Sequence, residues 1–271
     1  NATIKHAMRS ESATRLAAMI TLAQSEKGVP IQPDQFDTDL WTLNVDNGVV
    51  DLRTGERKPH ERTRLCTKIV PIDYLPGSPC PRWRRFVGEI MGDRAEMVEY
   101  LQRAMGYSLT GSVREQCMFV LFGAGRNGKS TFLEILRTLS GEYSRAASME
   151  TFLLSRHDGD KPRNDLAALR GSRVVTAVEA SEGRRLDESF VKAVTGGDTV
   201  ACRFLFGEFF DLTPTWKIWL ATNHKPEIRG SDEGIWRRLQ LTVFGENFEA
   251  TEDRGLLAEL QTEIVGILAW V

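Results

Sequence analysis

Apolar side chains recur along the first hundred residues at spacings that predict helices and one β-hairpin. Residues 11–24 carry apolar side chains at helical spacing, namely Ala13, Leu16, Ala17, Met19, Ile20 and Ala23. Residues 41–45 and 49–52 flank Asp46-Asn47-Gly48, and an Asn-Gly pair is typical of a tight hairpin turn. Beyond a Pro-rich linker at 76–81, residues 83–90 and 95–105 have the pattern of two helices. We predict a small α/β cap and a helical collar.

From about residue 114, short apolar runs alternate with helical patterns. The predicted strands are residues 118–122, 173–178, 218–222 and 239–244. This alternation is the signature of a parallel sheet flanked by helices. A chain of 271 residues can hold two domains. We therefore predict an α/β fold with a collar domain at 1–113 and a nucleotide-binding domain at 114–271.

The first predicted strand of the second domain runs directly into a phosphate-binding loop. Residues 123–131 read GAGRNGKST, and a helical pattern follows them. Glycines let successive backbone N–H groups turn inward around phosphate oxygens at the positive end of a helix. Lys129 would reach the β- and γ-phosphates of a nucleoside triphosphate, and the Ser130 hydroxyl would bind Mg²⁺. An ordinary turn is the alternative, but the strand before and the helix after favour a nucleotide site.

Two carboxylates follow the second predicted strand of this domain, at Glu179 and Glu182. An ATPase needs a carboxylate beside the phosphate loop, where it orients Mg²⁺ and polarises the attacking water. Acidic residues at strand ends are often merely solvated. About 50 residues after a phosphate loop, the catalytic interpretation is the favoured one.

Further polar residues stand at the ends of later segments. Asn223 follows the third strand, where its amide could contact the γ-phosphate, although a simple turn-forming Asn is the alternative. Arg237 and Arg238 precede the last strand, where an arginine could reach a neighbouring subunit's nucleotide. An exposed pair of salt-bridging arginines would look the same in sequence.

The composition excludes several classes of protein. A formal net charge of −2 leaves no global electrostatic signature for nucleic acid, so any such contact must be local. The four cysteines, at 66, 80, 117 and 202, lack zinc-ligand spacing and indicate reduced thiols in the cytoplasm. Neither a membrane span nor a signal peptide is recognisable. The first residue is Asn1 and the last ones follow a helical pattern, so we expect a fragment of a longer protein.

Taken in order, these segments resemble a known family over residues 40–270. The series comprises the loop GAGRNGKST, Glu179 in VEASEG, KAVTGGD at 192–198, ATNHKP at 221–226 and GIWRR at 234–238. Upstream, NGVVDL at 47–52, Pro59-His60 and GYSLTG at 106–111 continue it. The chain is thereby identified as similar to the superfamily 3 helicase domain of phage and plasmid primase-helicases, a group with poxvirus relatives. An ordered series is far more specific than one motif.

The resemblance implies an AAA+-like P-loop NTPase core and assigns roles to single residues. The Walker A loop would consist of Gly123, Gly125, Asn127, Gly128, Lys129, Ser130 and Thr131. Glu179, and with less support Glu182, would supply Walker B, with Glu179 and Ser130 as Mg²⁺ ligands. Asn223 would be the sensor of motif C, and Arg238 is preferred to Arg237 as the arginine finger. Many relatives have adjacent acidic residues in Walker B, whereas two residues separate Glu179 from Glu182 in this chain. Which of the two carboxylates activates water therefore stays open.

The same resemblance places a hairpin, projecting into the channel of a ring, within residues 192–215. Residues 199–205 and 208–213 could pair as strands around Phe206-Gly207. Aromatic stacking and basic side chains are what a channel needs to hold single-stranded DNA. Many relatives carry Lys or Arg at the tip, whereas this chain has Gly-Glu, so Lys192, Arg203 or Phe206 are the candidate DNA contacts. Burial of the phenylalanines in the core is an equally good interpretation.

The leading hypothesis is an ATP- and Mg²⁺-dependent replicative helicase that moves along single-stranded or forked DNA as a hexameric ring. A primase domain would precede it in the full-length chain, and a cytoplasmic location in a bacterial host follows from the resemblance. An initiator or loader that uses ATP as an assembly switch is the first alternative. A small-molecule P-loop kinase is the second, and it would have no need for the GIWRR arginines.

Overall fold

The computed structural model describes residues 2–154, 163–178, 183–230, 232–251 and 253–271. Two compact units are present. The first comprises the residues up to Thr38 together with Arg62–Thr67, and the second comprises Asp39–Glu61 and Lys68–Val271. These units are defined by packing, and the functional boundary at residues 113 and 114 stays a prediction.

The first unit is built on two helices, α1 (Ala2–Ser10) and α2 (Ala13–Ala23). The second of them confirms the helix predicted at 11–24. Neither helix contains a buried residue, and Met8, Met19 and Ile20 are exposed. Helical spacing of apolar residues therefore predicted the element correctly, but these side chains contribute nothing to the core.

The second unit begins with an antiparallel sheet in the order β1 (Thr42–Val45), β2 (Gly48–Asp51) and β3 (Glu56–Lys58). The first two strands are the predicted hairpin. Two helices follow, α3 (Pro81–Ile90) and α4 (Ala95–Leu109). Pro81 begins α3 at a position where the missing N–H costs nothing.

A five-stranded parallel sheet forms the centre of the second unit. Its strands are β4 (Met118–Phe122), β5 (Ser144–Ala146), β6 (Val174–Val178), β9 (Lys217–Thr222) and β10 (Leu239–Val243). The spatial order is β10-β4-β9-β6-β5, and all neighbours are parallel. The predicted fold class, a parallel sheet flanked by helices, is confirmed. Only β5 escaped prediction, because three residues at a sheet edge carry no apolar run.

Both faces of the sheet are covered at its central strands β4, β6 and β9, which explains why these strands are nearly continuous apolar runs. Phe119 and Leu121 of β4 point into one core, which includes α5 (Lys129–Ser140). Met118 and Val120 point into the other core. Trp219 of β9 stacks on Phe119 of β4 with ring centroids 4.3 Å apart, and this contact stabilises the pairing of the two strands.

The remaining elements surround the sheet. They are α6 (Asn164–Ala167), α7 (Glu188–Gly196), β7 (Val200–Cys202), β8 (Phe210–Leu212), α8 (Glu233–Trp236), α9 (Leu256–Thr262) and α10 (Ile264–Trp270). A search of the described helices finds none with the length and apolar character needed to cross a membrane.

Candidate functional site

The phosphate loop connects β4 to α5 at the carboxyl edge of the parallel sheet. Gly128 is the N-cap of α5 with φ 85°, so the chain turns there in a left-handed conformation and the helix begins at Lys129. The first N–H groups of a helix have no partner within it, and they carry the positive end of its dipole. A cleft of about 300 Å³ opens beside the loop. This edge therefore offers a site for a polyanion.

Two of the loop glycines are required by close packing. A Cβ on Gly123 would lie 2.2 Å from Asn127 Nδ2 and 2.4 Å from the Phe244 carbonyl oxygen. A Cβ on Gly128 would lie 2.6 Å from Ile90 Cγ2 in α3. All three distances are far below van der Waals contact, so a larger residue would displace the loop or its neighbours. At Gly125 an added Cβ would meet nothing within 4 Å, so its φ of 108° is the constraint.

Lys129 lies inside the loop, where only 6% of its surface is exposed. Its Nζ donates hydrogen bonds to the Gly123 carbonyl at 2.6 Å and to Asn127 Oδ1 at 2.9 Å. Burial lowers the pKa of Lys129, because the ammonium has lost part of its hydration. An anion in the adjacent cleft would compensate that loss. The geometry therefore suits the predicted contact between Lys129 and nucleotide phosphates.

Asn127 connects the loop to the end of the edge strand β10. Its Oδ1 accepts the hydrogen bond from Lys129, and its Nδ2 donates to the Phe244 carbonyl at 3.1 Å. The residue was predicted to bind nucleotide and it lines the cleft, while its buried side chain is bonded within the protein. We assign it the role of positioning Lys129.

Ser130 and Thr131 occupy the first turn of α5, and both line the 300 Å³ cleft. The Ser130 hydroxyl is the kind of hard oxygen ligand that Mg²⁺ takes in combination with waters and a carboxylate. The predicted second ligand, Glu179, lies outside the described residues, as does Glu182. Of the two predicted Mg²⁺ ligands, only Ser130 belongs to the described residues.

Three strand ends of the sheet meet at this cleft. Phe122 is paired with Thr222, and Val178 is paired with Ala221. Val178 and Asn223 both line the cleft together with the loop. The parallel topology thus brings Asn223 and the residue that precedes Glu179 to the cleft beside the phosphate loop.

The two arginines before β10 have opposite environments. Arg238 is only 8% exposed, and its guanidinium donates to the Gly234 carbonyl at 2.6 Å and to Gln116 Oε1 at 3.0 Å. Arg237 is exposed. The guanidinium of Arg238 is therefore hydrogen-bonded within its own chain, whereas the side chain of Arg237 is exposed to solvent.

The hairpin of β7 and β8 is antiparallel, as predicted, and its connecting segment is rich in exposed aromatic residues. Phe206 is 98% exposed with φ 63°, a left-handed conformation that is unfavourable for a bulky residue. Arg203 lies over the Phe209 ring at 4.6 Å. Lys192, on α7, donates to Asp232 Oδ2 at 2.6 Å. Of the three candidate DNA contacts, Phe206 is the one that stands fully in solvent.

Two cations that the sequence analysis did not single out lie buried at the opposite edge of the sheet. Lys217 is 1% exposed, and its Nζ donates to the carbonyl oxygens of Thr110 and Ser112. Arg173 donates to the Leu109 carbonyl at 2.8 Å. Burial holds the pKa of Lys217 well below its ordinary value, and the nearby Arg173 lowers it further. These contacts attach the end of α4 to the sheet.

Two protein families match segments that together make up most of the chain. Residues 1–92 match the family "D5 N terminal like", and residues 121–238 match a "Family of unknown function (DUF5906)". The second match contains the phosphate loop, Asn223 and both arginines.

Curated relatives come from large DNA viruses. The "Putative helicase L207/L206" of Acanthamoeba polyphaga mimivirus is 30% identical over 218 residues, which cover 79% of this chain and 22% of that protein. The "Putative helicase 121R" of Invertebrate iridescent virus 3 is 27% identical over 231 residues, covering 81% of this chain and 24% of that protein. The chain thus spans less than a quarter of the length of these relatives.

Among solved structures, the apo A form of the "NrS-1 C terminal region" is similar in fold. It has a TM-score of 0.52 and 10% sequence identity, over 74% of this chain and 46% of that one. A second apo structure of the same region has a TM-score of 0.51 at 11% identity. At this identity the similarity establishes the fold and nothing finer.

Proposed function

Because the chain belongs to the phage and viral primase-helicase family, we propose that it is the ATP-hydrolysing motor of a replicative DNA helicase of superfamily 3. One observation carries the proposal: the phosphate loop, the end of β6 and Asn223 converge on one cleft of about 300 Å³. The names of the viral relatives are consistent with this function. The active unit would be a hexameric ring on single-stranded or forked DNA, with a primase domain elsewhere in the full-length protein.

The chemistry assigned to the cleft is in-line attack of water on the γ-phosphate. The loop N–H groups and Lys129 would hold the phosphates and neutralise charge that develops in the transition state. Mg²⁺, when bound by Ser130 and Glu179, would neutralise the β- and γ-phosphate oxygens. Glu179 or Glu182 would accept the proton of the attacking water, and Asn223 would orient that water or the γ-phosphate.

An arginine from the neighbouring subunit would complete the site. The sequence favoured Arg238 for this role, but its guanidinium is buried and bonded to Gly234 and Gln116 of its own chain. We therefore transfer the proposed finger to Arg237, which is exposed at the start of the edge strand. Arg238 would hold the turn that presents Arg237.

Contact with DNA is proposed for the tip of the β7–β8 hairpin. Its exposed rings could stack on bases, which is a sequence-tolerant way to hold a single strand. The chain carries a net charge of only −2, so this local surface would have to supply the contact.

The decisive experiment measures ATP hydrolysis by the purified chain with and without single-stranded DNA, followed by unwinding of a forked duplex. We expect stimulation by DNA, unwinding that needs ATP, and loss of both in Lys129→Ala. Lys58→Ala is the matched control, because Lys58 is an exposed lysine on β3 that pairs with Glu56. Hydrolysis without any unwinding would support the initiator or loader instead. Failure to bind or hydrolyse nucleotide would overturn the proposal.

A further inference from the structure

A second and larger cleft, of about 590 Å³, lies on the other side of the phosphate loop. The two clefts share Arg126, Gly128 and Thr131 of the loop and the first turn of α5. Any ligand whose phosphates enter the smaller cleft therefore has the larger one next to it. A nucleoside attached to those phosphates needs such a neighbouring space.

Phe248 lines the second cleft, and the segment that contains it is bonded to the phosphate loop. The Phe248 N–H donates to the Arg126 carbonyl at 2.8 Å. The Arg126 guanidinium forms an ion pair with Glu249 at 2.6 Å. Arg126 has φ 47°, so the crest of the loop adopts a left-handed conformation where these contacts form. The half-buried ring of Phe248 is thereby held at a defined place beside the loop.

Other residues that line the cleft belong to α3 and α9. Phe86 of α3 lines the cleft and belongs to the main core, and Leu256 of α9 lines it as well. Two aromatic side chains, Phe86 and Phe248, and the aliphatic Leu256 therefore line the cleft together with polar and charged residues. Flat heteroaromatic rings bind well in such surroundings, where stacking replaces water.

Four of the charged side chains that line this cleft, Arg82, Arg85, Glu89 and Arg126, form ion pairs within the protein. Arg82 contacts Glu89 at 3.5 Å and Glu259 at 3.2 Å, and Arg85 contacts Glu89 at 2.7 Å. Their positive charge is therefore largely compensated within the protein. In contrast, Lys129 in the smaller cleft is bonded to a carbonyl and an amide. The larger cleft suits an uncharged group, and the smaller one suits phosphates.

We propose that the larger cleft receives the nucleoside of the bound nucleotide, with its base against the Phe248 ring and its α-phosphate at Thr131. This inference rests on the proposed nucleotide-binding function. Bound nucleotide would then touch α3, the phosphate loop and Phe248 at the same time. Occupancy of the site would consequently stabilise the packing of α3 against the loop.

The test compares the binding of ATP with that of inorganic tripolyphosphate, which has the phosphates but no nucleoside. Wild-type chain should bind ATP more tightly than tripolyphosphate. In Phe248→Leu, which keeps an apolar side chain but removes the ring, the Kd of ATP should rise about tenfold, or about 1.4 kcal/mol. The Kd of tripolyphosphate should stay the same. Phe248→Trp should restore ATP binding, and thermal unfolding of each variant shows that it is folded.

Different outcomes would contradict the proposed nucleotide site and the proposed position of the nucleoside. If neither ATP nor tripolyphosphate binds to the wild-type chain, the proposed nucleotide site itself is wrong. If both bind, and Phe248→Leu leaves the Kd of ATP unchanged or weakens both ligands equally, the nucleoside does not lie against Phe248. Equal affinity of the wild-type chain for the two ligands would also overturn the inference.

Discussion

Lys129 Nζ donates a 2.9 Å hydrogen bond to Asn127 Oδ1, so the amine of the loop lysine is held by an amide two residues before it. The same amide donates to the Phe244 carbonyl at the end of β10. Strand β10 begins directly after Arg238. A single side chain thus joins Lys129 to the strand that follows the proposed arginine finger.

Asn127→Ala should therefore impair both stability and catalysis. The Phe244 carbonyl would lose its buried donor, which should lower the unfolding free energy by about 1–3 kcal/mol. Lys129 would also lose its restraint, and the KM for ATP should rise. Urea denaturation and steady-state hydrolysis measure the two effects.

Asn223→Ala is the matched control for Asn127, because Asn223 lines the same cleft but is exposed. Its unfolding free energy should stay within about 0.5 kcal/mol of the wild-type value, while hydrolysis falls. An Asn127→Ala protein as stable as the Asn223→Ala protein would contradict the bridging role.

The two arginines should separate catalysis from folding. Arg237→Ala should lose hydrolysis without loss of stability, because the side chain is exposed. Arg238→Ala should lower the unfolding free energy by about 2–3 kcal/mol, since its charged hydrogen bonds to Gly234 and Gln116 are lost.

Mixing provides the test of action between subunits. Lys129→Ala and Arg237→Ala chains are each expected to be inactive alone. A mixture should regain hydrolysis at interfaces where an intact loop meets an intact Arg237. No recovery in mixed rings of confirmed composition would argue against a finger supplied by Arg237.

Phe206 allows DNA binding to be separated from backbone strain. Both Phe206→Ala and Phe206→Gly remove the exposed ring, so both should weaken single-stranded DNA binding by about 1–3 kcal/mol. Gly accepts φ 63° more easily than Ala, so the Gly variant should be the more stable by about 1 kcal/mol. Fluorescence anisotropy and thermal unfolding are the measurements, and unchanged DNA affinity in both variants would exclude the tip as a contact.

Lys217 should make stability depend on pH. Its pKa in the folded chain is lowered, chiefly by burial and then by Arg173, whereas in the unfolded chain it is about 10.4. Between the two values the unfolded chain binds a proton that the folded chain lacks, so the unfolding free energy rises with pH. Lys217→Met lacks this dependence.

The measurement for Lys217 is the difference in unfolding free energy between wild type and Lys217→Met from pH 7 to pH 10. The unfolding free energy of the wild type should increase relative to that of Lys217→Met as the pH rises. Lys58→Met, at an exposed lysine, should show no such trend. A flat difference for Lys217→Met would mean that the ammonium is not significantly desolvated.

Much of the fold followed from sequence patterns because those patterns are local. The central strands β4, β6 and β9 are buried on both faces, and so they appear as short apolar runs in the sequence. The phosphate loop was recognisable for the same reason, since its glycines and Lys129 act within nine consecutive residues. The position of Asn223 at the end of a parallel strand placed it at the same edge of the sheet as the loop, and the pairing of β9 with β4 brings the two together.

Other properties depend on contacts between residues far apart in the chain. The resemblance favoured Arg238 over Arg237 as the finger, but the sequence did not show that the Arg238 guanidinium is bonded to Gln116, which lies 122 residues earlier in the chain. Lys217 looks like an ordinary lysine at the start of a strand until carbonyls from residues 110 and 112 surround it. Spacing along the chain determined the elements and the phosphate loop. Tertiary packing alone decided which charged groups are buried and which remain free to act, because burial depends on neighbours that local sequence does not specify.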